Sequence, residues 1–391
     1  MTALPSVLKY VFSRLVGKRQ QFSVPLLICT TLLLLFGILA LYSAALGKLG
    51  SGNLFWITMI TQIIGILIGG VCIYAATHYK QLDYRKIYSQ GWTLYLFVAA
   101  ILLQLLVFSP IGIERKGATR WLDLGPVTIQ PSEFLKIALV LLFASLLVSF
   151  KKEIRNLKTL VLLLAATCGM VGAIMLLIRD KGTLMVLGIT TIIMLFASSA
   201  RIWHVLLLIA IAASGLGALV FGLDSESYAR QRIETFLGMN NDTLGAGYQV
   251  DQAIMTVGSG GIFGKGYGQS IQKHGLLPET LNDSIFAIIA EELGFVGSVL
   301  LLGLFTSFIL IGISIAQKAS NQYGYFLALG LTSLIGTQAF INIMAMIKLF
   351  PLSGMPLPFI SKGGSAIVGS LLCVALLLNI SRFRKRARVA K

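Results

Sequence analysis

Asp283 opens a long apolar run, in Asn282-Asp-Ser-Ile-Phe-Ala287, and a carboxylate in that position has two uses. It can cap the N-terminus of a helix. It can also sit partly desolvated at a membrane surface and accept a proton, as a general base does. Glu291 follows eight residues later, ~12 Å along a helix and on roughly the same face. A carboxylate at that depth is costly and is usually functional or paired; an anchor to another helix is the favoured reading. Upstream, Gln130-Pro-Ser-Glu-Phe-Leu-Lys136 puts a proline in a helical first turn, where its missing N–H costs nothing. Glu133 and Lys136 then share one helical face. Either they form a local ion pair that eases both charges into lipid, or Glu133 orients Lys136 as a cation for an anionic lipid headgroup. Arg179-Asp-Lys-Gly-Thr183 reads as a hydrated, charged turn.

The run Gly258-Ser-Gly-Gly-Ile-Phe-Gly-Lys-Gly-Tyr-Gly268 looks like a nucleotide loop. However, Ser259 occupies the first glycine position of a Walker motif, and Gly266 the position of the magnesium-binding Ser or Thr. Gln269 stands where the dinucleotide fingerprint needs its third glycine. Two readings stay open: a flexible loop, or a turn whose N–H groups hold a phosphate or pyrophosphate. Three prolines in Phe350-Pro-Leu-Ser-Gly-Met-Pro-Leu-Pro-Phe359, followed by Ile360-Ser-Lys-Gly-Gly-Ser365, imply a broken or re-entrant element. Irregular backbone at membrane depth survives only against protein or a water-filled cavity. Cys29, Cys72, Cys168 and Cys373 all lie in apolar runs. Their spacing fits neither a zinc site nor a disulfide framework, so they read as free thiols.

A membrane scaffold must position these groups. Of 391 residues, 56% are hydrophobic and only 12% charged, too few polar residues to cover a water-soluble globule or to keep a chain disordered. The net charge of +17 does not make a nucleic-acid surface, because the basic residues sit in short segments between apolar runs rather than among aromatics on a soluble domain. No soluble domain is large enough to host an ATPase.

A bilayer core needs about 20 apolar residues per helix. Ten runs qualify: Val24–Leu46, Leu54–Ala76, Gly91–Ser109, Phe134–Phe150, Thr159–Ile178, Thr183–Ala197, Trp203–Gly222, Ser284–Ala316, Gly324–Lys348 and Gly364–Ser381. The first is too long for the core of a cleaved leader. With the N-terminus inside, 19 of the 32 Lys and Arg residues fall on inner segments, including six between Arg382 and Lys391. Eleven of the 15 acids, from Glu114 to Asp283, fall on outer ones. Both termini are therefore expected to be cytoplasmic. The expected fold is an all-α polytopic membrane protein, one domain over 1–391, with about ten transmembrane helices. It has a cytoplasmic N-terminus (1–23), a large outer loop between helices 7 and 8 (223–283) and a basic cytoplasmic tail (382–391). The outer segments Pro110–Glu133 and 223–283 are long enough to be functional, and the chemistry faces outward.

Several ordered motifs resemble the SEDS family (shape, elongation, division and sporulation), typified by FtsW and RodA. They include Gly117-Ala-x-Arg-Trp121, Gln130-Pro-Ser-Glu-x-x-Lys136, Asp180-x-Gly-Thr183, Arg232-Ile-x-x-Phe-Leu237, Gly245-Ala-Gly-Tyr-Gln249, Gly264-x-Gly-x-Gly-x-Ser270, Leu277-Pro-Glu279, Glu291-Glu-Leu-Gly294, Pro356-Leu-Pro-Phe-Ile-Ser361 and Asn379-Ile-Ser-Arg382. The match runs from about residue 20 to 385, and Gln272-Lys-His-Gly275 before Leu-Pro-Glu is closer to the FtsW branch. The resemblance implies ten helices and polymerisation of lipid II into peptidoglycan strands on the outer face of the bacterial cytoplasmic membrane. It also implies a class B penicillin-binding protein as partner, alongside other division or elongation membrane proteins. The family's catalytic aspartate corresponds to Asp283, although Asn282 and Ser284 replace the usual Thr and Phe, and Lys181 and Lys362 the common Leu and Tyr.

Glycan polymerisation needs a base for the attacking hydroxyl and cations for the departing pyrophosphate. Asp283 can serve as the base. Lys136, Arg120, Arg232 and Lys265 are candidates to balance the pyrophosphate, and Glu133, Asp180, Lys273 and Ser365 complete the candidate substrate-binding set. Direct displacement inverts the anomeric centre; retention wants a second close carboxylate, and none is clearly placed. The donor carries its own activation, so no nucleotide cofactor is expected. A divalent cation, Mg or Mn, could assist through Glu133, Asp180 or Asp283, but no dedicated metal site is read. A lipid II flippase and a non-catalytic scaffold for the transpeptidase are the competing readings.

Overall fold

Where apolar side chains leave the backbone no water, its N–H and C=O groups must pair within the segment, and each apolar run accordingly closes into a helix. The computed structural model describes residues 22–47, 53–79, 81–115, 118–123, 125, 128–222, 236 and 246–384. Arg232, most of the segment 223–245, and the two charged ends therefore lie outside the described residues. The helices are α1 (Val24–Leu46), α2 (Leu54–His78), α3 (Tyr84–Ser89), α4 (Trp92–Leu105), α5 (Pro131–Ser149), α6 (Leu157–Leu177), α7 (Lys181–Phe196), α8 (Ile202–Gly222), α9 (Ala246–Ser259), α10 (Ile285–Gln317), α11 (Gln322–Met346) and α12 (Gly364–Arg382). Seven of them, α1, α2, α5, α6, α10, α11 and α12, are long and apolar enough to cross a membrane; α4, α7 and the start of α8 are shorter apolar helices.

The expectation of an all-α chain is corrected at one place. Residues 112–129 form a small antiparallel sheet of β1 (Gly112–Arg115), β2 (Ala118–Asp123) and β3 (Thr128–Ile129), in the order β1-β2-β3. Ile113 pairs with Trp121 and Leu122 with Ile129. Strands this short, interrupted by charges, leave little alternation for a sequence reading to detect. The sheet delivers the chain through Gln130 to Pro131, the first residue of α5.

The centre of the bundle is α11, which touches α5, α7, α10 and α12 and buries most of its length. Helix α12 lies along α2, where Gly65 and Gly69 leave room for Ile367 and Leu371; small residues one turn apart let membrane helices approach closely. At one end, Asn379 fastens three helices, α12, α2 and α3, and the turn between the last two. Its Oδ1 accepts from the Tyr84 N–H at 3.0 Å, and its Nδ2 donates to the carbonyls of Ala76 and Leu82, both at 2.7 Å. The Tyr84 hydroxyl in turn donates to Asn321 Oδ1 at 3.1 Å.

Helix α10 is two helices joined at Gly294, whose φ of 67° and ψ of −162° are not helical. The break frees carbonyls on one side and N–H groups on the other, and the glycine-rich loop supplies partners for both. Lys265 N–H and Gly266 N–H donate to the carbonyls of Glu291 (2.9 Å) and Glu292 (3.0 Å), while Phe295 N–H and Val296 N–H donate to those of Gly261 (2.9 Å) and Ile262 (3.1 Å). Neither loop reading is what the structure shows: these N–H groups close a broken helix rather than wait for a phosphate. A Cβ on Gly294 would fall under 3.0 Å from Ile262 O and Gly264 N, in a backbone region that only glycine populates at ease. Gly294→Ala should therefore cost at least about 1–3 kcal/mol in backbone strain alone, read as a lower unfolding midpoint in detergent. Gly303→Ala, whose added Cβ meets nothing within 4 Å, should leave the midpoint unchanged. Equal midpoints for the two would refute the strain argument.

Candidate active site

The proline-rich segment 350–361 organises the site. Asp283 is buried, and the carbonyls of three consecutive residues around it are each held. Leu281 O accepts from Lys362 N–H at 2.8 Å, Asn282 O from Ser361 Oγ at 2.5 Å, and Asp283 O from Asn342 Nδ2 at 2.8 Å. Ser361 Oγ also accepts from Leu357 N–H at 2.8 Å. The helix begins two residues after the aspartate, at Ile285, with Ser284 at its N-cap position, so the capping reading of Asp283 gives way to a carboxylate fixed through its backbone. Gln249 Nε2 donates to Ser284 Oγ at 3.0 Å and ties α9 to the same turn.

Lys136 and Glu133 do form the ion pair, at 2.9 Å, and both are buried. Lys136 Nζ also donates to Gln338 Oε1 at 2.8 Å, and Gln338 Nε2 donates to Pro356 O at 2.9 Å. Ser365 Oγ accepts from Gln130 N–H at 3.2 Å, one residue before α5 begins. Asp180 caps α7, accepting from Thr183 N–H at 3.2 Å and from Thr183 Oγ1 at 2.9 Å. It is a buried cap, not the hydrated turn of the sequence reading. Arg120, from β2, reaches it at 3.9 Å and bonds the carbonyl of Arg179. Gly182 packs against Ser353 and Met355, and Met355 O accepts from Asn342 Nδ2 at 2.7 Å. Asp283 and Lys136 thus each meet one segment through a single amide, Asn342 and Gln338; Glu133 joins it through Lys136, and Arg120 through Asp180 beside Gly182.

Backbone strain gathers in the same turns. Among the described non-glycine residues, positive φ occurs at Arg179 (57°), Glu279 (54°), Lys348 (55°) and Phe359 (66°). Arg179 adjoins Asp180, Glu279 precedes Asp283, Lys348 precedes the proline-rich segment and Phe359 lies within it. Such strain persists where surrounding structure over-determines it, often at functional sites.

Two further site candidates belong to a different cluster. Lys265 Nζ pairs with Glu291 at 2.7 Å, and Ser270 Oγ also donates to Glu291. Lys273 is fully buried and paired with Glu292 at 3.0 Å, with further bonds to Gly268 O (2.7 Å) and Ser43 Oγ (3.2 Å). Glu291 is therefore an anchor, to the glycine loop. The residues that sequence reasoning passed over are Gln338 and Asn342. Their signal was two amides four residues apart in an apolar helix, hence on one face. The four cysteines are free. Among the described residues no three of His, Cys, Asp and Glu come together as for a metal ion, and Glu133 is engaged by Lys136.

The FtsW/RodA/SpoVE model, described as cell cycle protein, matches residues 24–386. The chain belongs to this family. Stage V sporulation protein E of Bacillus subtilis (strain 168) is 37% identical over 372 residues, covering 94% of this chain and 99% of that protein. A protein of Trichlorobacter lovleyi named probable peptidoglycan glycosyltransferase FtsW is 36% identical over 375 residues, covering 94% and 95%. Among solved structures, the rod shape determining protein RodA of Thermus thermophilus superposes with a TM-score of 0.65 at 24% identity, over 94% of this chain and 98% of that one. A chain from a peptidoglycan synthase complex superposes with a TM-score of 0.76, at 24% identity over 94% and 99%. The fold is that of the FtsW/RodA/SpoVE family, and with its seven long apolar helices the chain is a multi-pass membrane protein.

Proposed function

We propose that this family member is a peptidoglycan glycosyltransferase that polymerises lipid II at the outer face of the bacterial cytoplasmic membrane, on the FtsW side of the family. The observation that carries this reading is 36% identity, over 94% of the chain, to a relative named for that activity. The buried, backbone-held carboxylate of Asp283 supplies the matching chemistry. Asp283 takes the proton from the attacking sugar hydroxyl; the oxygen bonds to the anomeric carbon of the donor, and undecaprenyl pyrophosphate leaves with the bonding pair, inverting that centre. Among the described residues, Arg120 is the cation best placed for the pyrophosphate. Its side chain is 31% exposed, and its Nε has no hydrogen-bond partner among the described residues. Lys136 and Lys273, both buried in pairs, act by holding the scaffold.

Ten crossings with both termini cytoplasmic accord with the seven long and three shorter apolar helices and with the basic segments between them. The solved peptidoglycan synthase complex described as coordinating polymerization and crosslinking supports a class B penicillin-binding protein as the partner. Purified protein with labelled lipid II, with and without that transpeptidase, tests the reading: long strands are expected. Lipid crossing vesicle membranes with no strands under either condition would replace it with the flippase.

A further inference from the structure

Two side-chain amides one turn apart on α11 hold two consecutive carbonyls of the broken segment: Gln338 Nε2 on Pro356 O at 2.9 Å, and Asn342 Nδ2 on Met355 O at 2.7 Å. Each amide makes one more bond, and each of those reaches a different half of the site. Gln338 Oε1 accepts from Lys136 at 2.8 Å; Asn342 Nδ2 donates to Asp283 O at 2.8 Å. Asn342 is 1% exposed, and its Oδ1 is buried without a partner among the described residues. An orphaned buried acceptor is expensive. Turning the amide over would set its oxygen against two carbonyls, so the amide is held in this orientation.

We propose that Asn342 and Gln338 are positioning residues that set Asp283 and the Lys136–Glu133 pair at a fixed separation, using the Met355–Pro356 peptide as the spacer. The inference rests on Asp283 being the base. A membrane apolar residue at either position would fill the same space, but it would leave a carbonyl unpaired and the base free to shift. A displacement on the order of 1 Å in a reacting group costs about a hundredfold in rate.

The test uses Asn342→Asp, nearly the same size but with at most one donor for the two carbonyls, and Gln338→Glu, which keeps an acceptor for Lys136 and loses the bond to Pro356. Lipid II polymerisation by the full-length protein with its transpeptidase is followed as kcat, KM and rate against pH, next to detergent unfolding midpoints. Asn342→Asp should lower kcat by about 10–100-fold with KM within about threefold, and displace the acidic limb of the rate profile. The double variant should lose less than the product of the single losses, because both act through one peptide. A folded Asn342→Asp with kcat within about threefold of wild type and an unmoved acidic limb overturns the proposal, as do losses that multiply. If Asn342→Asp does not fold, the KM-against-kcat split of Gln338→Glu decides: a loss confined to kcat supports the proposal, and unchanged kinetics overturn it. Asp283→Asn run alongside separates the two readings. Strands from that variant defeat the base assignment and this inference together. Its silence beside a fully active Asn342→Asp defeats this inference alone.

Discussion

Asp283→Asn should abolish strand formation, a loss of about 10²–10⁴-fold if the carboxylate is a general base, while protein yield and lipid II binding stay near wild type. The structural reason for expecting a clean effect is that the bonds joining residues 281–283 to the 355–362 segment end on main-chain carbonyls. A side-chain amide of the same size leaves them in place but cannot take the proton. Asp283→Ala should behave alike. Gel analysis of labelled strands, paired with a lipid II binding curve, checks both. Long strands from either variant would remove Asp283 from the chemistry. Loss of binding along with activity would make it a substrate-holding group instead.

Lys273→Met should be the most destabilising single substitution in the 260–274 loop. Lys273 Nζ lies among Glu292 Oε1, Gly268 O and Ser43 Oγ with essentially no exposure. Removing the ammonium strands a buried carboxylate, which costs about 3–5 kcal/mol. Removing both charges is a different matter, since an apolar pair of similar volume avoids desolvation altogether. Lys273→Met with Glu292→Leu should therefore recover part of the loss, less whatever Ser43 and the Ser270 N–H contribute through their bonds to Glu292. Unfolding midpoints in detergent decide it. A Lys273→Met protein within about 1 kcal/mol of wild type would mean that Glu292 is neutral in the fold.

The helices were legible because long apolar runs leave one solution in lipid, and their ends were close: Val24–Leu46 is a helix over the whole expected range, and Ser284–Ala316 lies within one residue of the observed Ile285–Gln317 at each end. The Glu133–Lys136 pair was legible for the same reason, since spacing on a helix is local geometry. What could not be read were bonds made across the fold. The glycine loop presented a Lys among glycines and resembled an anion site. Nothing local tells that its N–H groups meet the carbonyls of Glu291 and Glu292. Gln338 and Asn342 looked like two polar interruptions of an apolar helix until the carbonyls of Met355 and Pro356 were found beside them.

The closure of α10 by the glycine loop also constrains how the protein is made. Gly264 leaves the ribosome 30 residues before Gly294, so the loop exists before the helix it must complete. Until the two meet, the carbonyls of Glu291 and Glu292 and the N–H groups of Phe295 and Val296 lack the partners that the loop gives them. A segment in that state is poorly suited to enter lipid by itself. Helix α10 and its preceding loop are thus one structural unit over residues 260–296, rather than a loop followed by a span.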